Sequence, residues 1–589
     1  MKNPFDHNKF IGYVSRVTPE LTRIHFPNSN LLKKFYFDGD VLHSGIVRNY
    51  VIIEGEGYGF LGRIVRVELP EKERLFLSEA AFQRQDGNFH PTSEVEIQLA
   101  FSIFGEIKAK KGLDQYPPIG SRVYACSPEY LELFLKDFGK DESGEVEDDL
   151  LEIATLPQDQ EYPIKISANS LFSRHCAVVG TTGGGKSYTV AKLVEEMIRK
   201  EKPIKILLLD STGEYKSISE EDSCETAMLG VGGNTFVHHK DLTESDLFAL
   251  FRPSGQVQMP TLQNAIKSLK LAKALENKKQ ADTSFEFPAY YQSGNIRKNG
   301  DKGDYDAMVI ENASSINSEN ADFDIEKLPL QIQYECVYPD AYGGDTTKWG
   351  GEDKNAATNS SSLITRVKSR INSKDFSVGF GLTTEARKDR QSFEKVFSDF
   401  YDGDKRILRI DISKISFEEN LREVLVNSLG RYFLNRFQHG SDDGFRSKPV
   451  IFIIDEAHQL FRIDKIKDEY SNEFKLDAFE RIAKETRKKG LFLCLATQRP
   501  RDIPHGVLSQ MGAFIVHRLI NPMDREAVMS ASPEGSKYLL SFLPSLGQGE
   551  ALLLGVDFPM PVNLRIKQVS ESFRPNSDTP KLFKREPSK

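Results

Sequence analysis

Cys176-Ala177-Val178-Val179-Gly180-Thr181-Thr182-Gly183-Gly184-Gly185-Lys186-Ser187-Tyr188 is the stretch on which the fold turns. Four apolar residues run into G-x-x-x-x-G-K-[ST], and an amphipathic segment from Tyr188 to Lys200 follows. Strand, glycine loop and helix, in that order, form the setting in which this motif holds phosphate. Glycines let the backbone curl so that its N–H groups face the phosphates, and the helix N-terminus adds positive potential. Gly180, Thr181, Thr182, Gly183, Gly184, Gly185, Lys186, Ser187 and the adjoining Tyr188 are therefore the candidate nucleotide-binding set. Lys186 is expected to bridge the β and γ phosphates, and the Ser187 hydroxyl to hold Mg²⁺.

Hydrolysis needs more than a cradle. Val450-Ile451-Phe452-Ile453-Ile454 is an apolar strand ending in Asp455-Glu456-Ala457-His458. Parallel strands present their C-terminal ends to the ligand crevice. Asp455 is suited to the magnesium shell and Glu456 to polarising the attacking water as general base. His458 reads equally well as a packing residue. A third run, Leu491 to Ala496, ends in Thr497-Gln498-Arg499-Pro500, where the Gln498 amide can sense the γ-phosphate or the lytic water. A sensor strand between the phosphate-loop strand and the acidic strand is the layout of RecA-like motors. No Asn-Lys-x-Asp element specifies guanine, so ATP is the expected nucleotide. Upstream, a helical pattern ends in Arg487-Lys488-Lys489-Gly490. Arg487 either complements the helix dipole or reaches across a subunit interface as an arginine finger.

The chain has 589 residues, which implies two to four domains. From about 175, apolar runs alternate with amphipathic helices: 176–179, 204–209, 407–410, 450–454, 491–496 and 514–516. They read as a largely parallel sheet covered by helices, an α/β class. Residues from about 8 to 155 instead carry short β-branched and aromatic runs, which suggest a small barrel or sandwich. An acidic stretch, residues 140–149, reads as a solvated loop. A helix from about Thr261 to Glu276 and a polar segment over 278–360 read as an insertion, partly mobile. The expected division is an N-terminal barrel at 1–160, core at 161–255, insertion at 256–400, core again at 401–565, and an extension at 566–589.

Taken together these motifs resemble the HerA-type branch of the FtsK/HerA hexameric translocases. The likeness is carried by Arg174-His175-Cys176 leading into the phosphate loop and by Asp210-Ser211-Thr212-Gly213-Glu214-Tyr215. It continues in Asp455 to His458, Arg487 to Gly490, Ala496 to Pro500, Asn521-Pro522-Met523-Asp524-Arg525 and Leu543 to Ala551. Thr212 stands where the family often has histidine, so a role resting on that histidine has no footing here. The resemblance implies a RecA-like P-loop ATPase core, an N-terminal β-barrel (the HAS barrel), a helical insertion and a C-terminal extension bracing a neighbour. It also implies a homohexamer with ATP between subunits, Arg487 as a finger in trans, and Arg174 as a second phosphate contact. Double-stranded DNA would pass through the ring, beside a NurA-type nuclease or a sirtuin-type NAD hydrolase, the latter in antiphage defence.

Two classes of function compete. A DNA translocase or helicase would line its pore with basic residues, for which Arg366, Lys368, Arg370 and Lys374, or Arg462, Lys465 and Lys467, are candidates. An ATP-regulated hexameric scaffold would instead organise an effector enzyme; a secretion motor is a further option. The net charge of −8 weighs against nonspecific coating of nucleic acid but allows a local basic patch. Five scattered cysteines suit a reduced cytoplasm and argue against a zinc site. Neither a membrane span nor a signal peptide is expected.

Overall fold

Six strands near the N-terminus close on themselves. They are β1 (Phe10–Val17), β2 (Thr22–His25), β3 (Tyr50–Glu54), β4 (Tyr58–Glu68), β5 (Thr92–Ser102) and β6 (Arg122–Ala125). Their order is β2-β1-β6-β3-β4-β5, and β2 pairs back onto β5 with Thr22 opposite Val95. Along β5 the alternation expected of a half-buried strand is strict: Val95, Leu99 and Phe101 are buried while Glu94, Glu96 and Gln98 are partly exposed. Ile11, Val14, Ile24, Val51, Phe60 and Val123 meet inside. Closure removes the unpaired edges that an open sheet of this size would leave. The expected barrel is present.

The computed structural model describes residues 3–37, 40–43, 45–70, 89–103, 109–110, 113–136, 149–157, 163–200, 202–416, 420–439, 442–461, 466–467, 473–474, 476–532, 537–558 and 560–576. Most of the acidic run at 140–149 lies outside them, as do Arg462, Lys465 and residues 577–589 of the expected extension. Two compact units emerge. One takes residues 1–202, 496–501 and 508–570, and the other takes 203–495, 502–507 and 571–589.

The principal strands beyond the barrel are, in chain order, β7 (Leu150–Thr155), β8 (Pro163–Ser167), β9 (Cys176–Val179), β10 (Lys205–Asp210), β11 (Cys224–Met228) and β12 (Ile407–Asp411). Then come β13 (Val450–Ile454), β14 (Leu491–Thr497), β15 (Ala513–His517), β16 (Glu550–Gly555) and β17 (Val562–Ile566). Within the first unit the order is β8-β7-β17-β16-β15-β9. Only the β9–β15 pair there is parallel; β15–β16, β16–β17, β17–β7 and β7–β8 are antiparallel. Short links join only β7 to β8 and β16 to β17, as antiparallel neighbours allow, whereas helices at Pro522–Ala531 and Lys537–Ser541 lie between β15 and β16. Within the second unit β14-β13-β10-β12-β11 are all parallel. Every residue of β10, β12 and β13 is buried, as strands covered on both faces must be.

Helix α1 (Lys186–Arg199) follows the phosphate loop. The insertion opens with α2 (Gly255–Ala281), longer at both ends than its sequence pattern indicates. Beyond it, where polar composition suggested partial mobility, the chain forms α3 (Leu328–Tyr334), α4 (Lys354–Ile371) and several shorter elements. Leu271, Leu275, Tyr290, Ile296 and Ile316 make a small core there. Gln331, fully buried on α3, accepts from the Ile296 amide at 2.8 Å and donates to the Ile296 carbonyl at 2.8 Å. Side-chain-to-backbone bonds of this kind order a segment whose apolar content alone would not. Among the described residues no helix is long and apolar enough to cross a membrane.

Helix α5 (Leu421–His439) lies against α6 (Ala478–Glu485), and Gly430 is the point of closest approach: an added Cβ would stand 2.8 Å from Phe479. Gly430→Leu is therefore expected to force the two helices apart at a cost on the order of 1–3 kcal/mol. Circular dichroism melts of the full chain check this; an unchanged midpoint would contradict the packing.

Candidate active site

The phosphate loop leaves β9 at its C-terminal end and enters α1 through Gly185, which serves as N-cap with φ +112° and no side-chain cap. Gly183 likewise has positive φ, +74°. Such angles strain any residue bearing a Cβ. Among the described residues the Gly183 and Gly185 amides donate to no group of the chain, as an anion cradle requires. Lys186 is buried at 5% exposure, while Ser187 is half-buried. This donor set fits a triphosphate: uncommitted amides, a buried ammonium, and a hydroxyl suited to a hard cation such as Mg²⁺.

The loop's shape is held from outside. Gly180 donates to the Thr497 carbonyl at 3.2 Å and Thr181 to the Arg518 carbonyl at 3.0 Å. Thr182 donates its hydroxyl to Gln498 Oε1 at 2.7 Å, so the sensor named from sequence does reach the loop. Gly549 donates to the Gly184 carbonyl at 3.2 Å, which gives the Leu543–Ala551 motif a bracing role. One contributor was not singled out from the sequence. His517, fully buried at the end of β15, places Nε2 2.7 Å from Thr189 Oγ1 and Nδ1 2.8 Å from the Glu550 carbonyl. A signal existed: it is the polar residue ending an apolar strand, the same position that marked Asp455 and Gln498.

In the second unit Asp455 follows β13, wholly buried, with its carbonyl accepting from Ser211 Oγ at 3.0 Å. Glu456 is 3% exposed and adopts φ +50°, ψ +41°. A non-glycine residue in the left-handed region carries strain of about 1–3 kcal/mol, and such strain gathers at working sites. His458 Nδ1 lies 3.2 Å from Glu456 Oε2. Asp210 proves architectural: it accepts from the Gly213 and Tyr215 amides at 2.7 and 3.1 Å and from Arg409 at 2.7 Å. Arg409 also binds Asp411 at 2.9 Å. Thr212, at the position where histidine is frequent, is exposed.

Arg174 stands away from the phosphate loop of its own unit, and Arg487 from the carboxylates of its own unit. Arg174 precedes β9, whereas the loop follows it, a separation of about 13 Å along a four-residue strand. Its Nε instead meets Asp557 at 3.0 Å. Arg487 sits before β14, whose register sets Leu491 beside Val450 and Leu495 beside Ile454. Asp455 and Glu456 are thus at the opposite end of the sheet, roughly 15 Å away. Arg487 is exposed and makes no hydrogen bond or ion pair among the described residues. Two pore candidates turn inward: Arg366 donates to the Phe251 carbonyl at 2.9 Å and Arg370 is buried, while Lys368 and Lys374 remain exposed. The tail's Asn576 amide donates to the Glu214 carbonyl of its own chain at 2.7 Å.

A glycine loop opening a helix, and two carboxylates ending a buried parallel strand, define a P-loop nucleoside triphosphatase. Residues 151–424 match the helicase HerA central domain and 433–567 the helicase HerA-like C-terminal domain. A probable helicase of Methanocaldococcus jannaschii is 26% identical over 577 residues, covering 95% of this chain and 91% of that one. The DNA double-strand break repair helicase HerA of Pyrococcus furiosus is 25% identical over 489 residues, covering 81% and 78%. The solved plasmid coupling protein TrwB with a non-hydrolysable ATP analogue gives a TM-score of 0.44 at 13% identity, over 75% of this chain and 94% of that one, a likeness too slight to bear on the site. The chain belongs to the HerA family.

Burial, only partly offset by the Glu550 carbonyl and reinforced by the Lys186 charge, pushes His517 down to about 4 from its usual 6.5. The unfolded chain therefore binds the extra proton first, and stability present above pH 6.5 is lost as pH falls towards 4, by up to about 3 kcal/mol. Thermal melts of wild type and His517→Gln across pH 7 to 4.5 check this, the variant showing the shallower decline. Arg409→Met would strand Asp210 and Asp411 without their cation, a loss of about 3–5 kcal/mol, read by urea denaturation.

Proposed function

We propose that the chain hydrolyses ATP with Mg²⁺ as one subunit of a homohexameric ring, and that the ring moves along or unwinds double-stranded DNA. The observation that carries the reading is the preformed phosphate loop with Gln498 already bonded to it. Lys186 holds the bridging oxygens of the triphosphate, and Gln498 orients the attacking water. Glu456 takes a proton from the attacking water as general base. Ser187 and Asp455 would each serve as ligands for Mg²⁺, which would supply positive charge against the negative charge gathering on the phosphate oxygens.

The placement of the arginines supports the ring reading. Arg487 is an exposed cation remote from its own carboxylates, so it serves a nucleotide held by a neighbour, where a finger is worth several powers of ten in rate. Arg174 belongs to the same reading as a second contact in trans. The DNA assignment draws on the relatives, among them a DNA double-strand break repair helicase.

Lys186→Ala is expected to abolish ATP binding. Glu456→Gln should keep affinity within about twofold and cut turnover by at least about 100-fold. Arg487→Ala should also bind ATP and fail to turn it over. Mixing the last two variants rebuilds some intact sites, so activity should return; a mixture that assembles yet stays inactive would refute the role in trans. Duplex DNA should bind with strong salt dependence and raise turnover. Absence of both effects would overturn the DNA assignment.

A further inference from the structure

His517 does more than fill the core. Its Nδ1 faces the Glu550 carbonyl at 2.8 Å, and a carbonyl can only accept, so Nδ1 carries the hydrogen. Full burial beside Lys186 keeps the ring neutral, which leaves the Nε2 lone pair facing Thr189 Oγ1 at 2.7 Å. Thr189 therefore spends its only hydroxyl proton on His517. Its other neighbour, the Gly185 carbonyl at 3.1 Å, is left to the Thr189 backbone amide at 2.9 Å. The result is a directional chain from the Thr189 hydroxyl through the imidazole to strand β16, with one tautomer fixed throughout.

The same ring lies under the loop. A Cβ on Gly180 would meet His517 Cβ at 2.6 Å, and one on Gly185 would meet His517 Cε1 at 3.2 Å. Gly184 would stand 3.5 Å from His517 Cβ. Three of the loop's glycines thus rest on one side chain, including the residue that caps α1. None of its atoms need touch the nucleotide.

We infer that His517 is a positioning residue for ATP binding: through Thr189 and the glycines above it, the imidazole holds the phosphate loop open in its anion-accepting shape before the nucleotide arrives. This rests on the ATPase reading given above. A loop that is competent only part of the time weakens apparent affinity by that fraction, while bound molecules react as before. Loss of the imidazole should therefore act on KM more than on kcat.

The experiment uses the full chain, with ATP titrations and steady-state kinetics on four variants. His517→Asn keeps a donor for the Glu550 carbonyl but loses the acceptor for Thr189; it should raise KM for ATP roughly tenfold and lower kcat less than threefold. Thr189→Val should do the same, and the double variant should be no worse than either single, since both break one chain. His517→Gln can return an acceptor to the Nε2 position and should recover most of the KM. A lowered melting temperature with unchanged KM in His517→Asn would show a merely structural role and overturn the inference, as would additive effects in the double variant. A wild-type chain that binds no ATP would overturn the nucleotide reading itself.

Discussion

A phosphate-binding loop must keep its amides uncommitted, and amides that bond to nothing in the chain cannot hold the loop in shape. The conformation has to be imposed by neighbours that touch every other part of it. Here the entry is held by the Thr497 and Arg518 carbonyls, the side by Gln498, the far wall by Gly549 and the underside by His517. Positive φ at Gly183 and Gly185 becomes tolerable because those positions are glycine. Nearly every feature of the first unit's C-terminal strands makes sense as part of that scaffold, including the antiparallel β15–β16 pair that brings His517 and Glu550 together.

The second unit solves a related problem with charge. Asp210 and Asp411 end adjacent buried strands, and two carboxylates without water would repel. Arg409, itself 2% exposed, answers both and leaves Asp210 free to fold the Gly213–Tyr215 turn with its remaining lone pairs. Ser211 at the head of that turn then reaches the Asp455 carbonyl. The Asp210–Tyr215 turn thus supports the end of the strand that lies beside β10 in the sheet. Glu456 departs from the strand in a left-handed conformation, which turns its Cα–Cβ bond away from the direction a continuing strand would give it.

Much of this was legible in the sequence because it depends on local order: strand, glycine loop, helix; apolar run, then two acids; apolar run, then an amide. The barrel's strands showed in their alternation, although Val47 to Ile53 proved to contribute only Tyr50–Glu54. Three kinds of feature did not show. Bonds joining distant positions, such as Thr189 to His517, leave no spacing to read. Order built from side-chain-to-backbone bonds, as at Gln331, looks like polar linker. Helix faces are not visible from charge alone, so Arg366 and Arg370 looked like Lys368 and Lys374 although they point into the protein.

The distance along the chain between the loop and its underside has its own effect during synthesis. Thr189 and His517 are 328 residues apart. At about 5–20 residues per second a ribosome needs roughly 16–66 s to travel from one to the other. Throughout that interval the nascent chain already displays the glycine loop, and later the carboxylates and Gln498, yet has no β15 or β16 to set the loop's shape. Contacts this remote are slow to form and leave apolar strands waiting in the open. A newborn chain therefore lacks the imidazole and the Gly549 amide that shape its phosphate loop until β15 and β16 emerge, and a fragment ended just after Gln498 would carry the glycine loop and both carboxylates without that support.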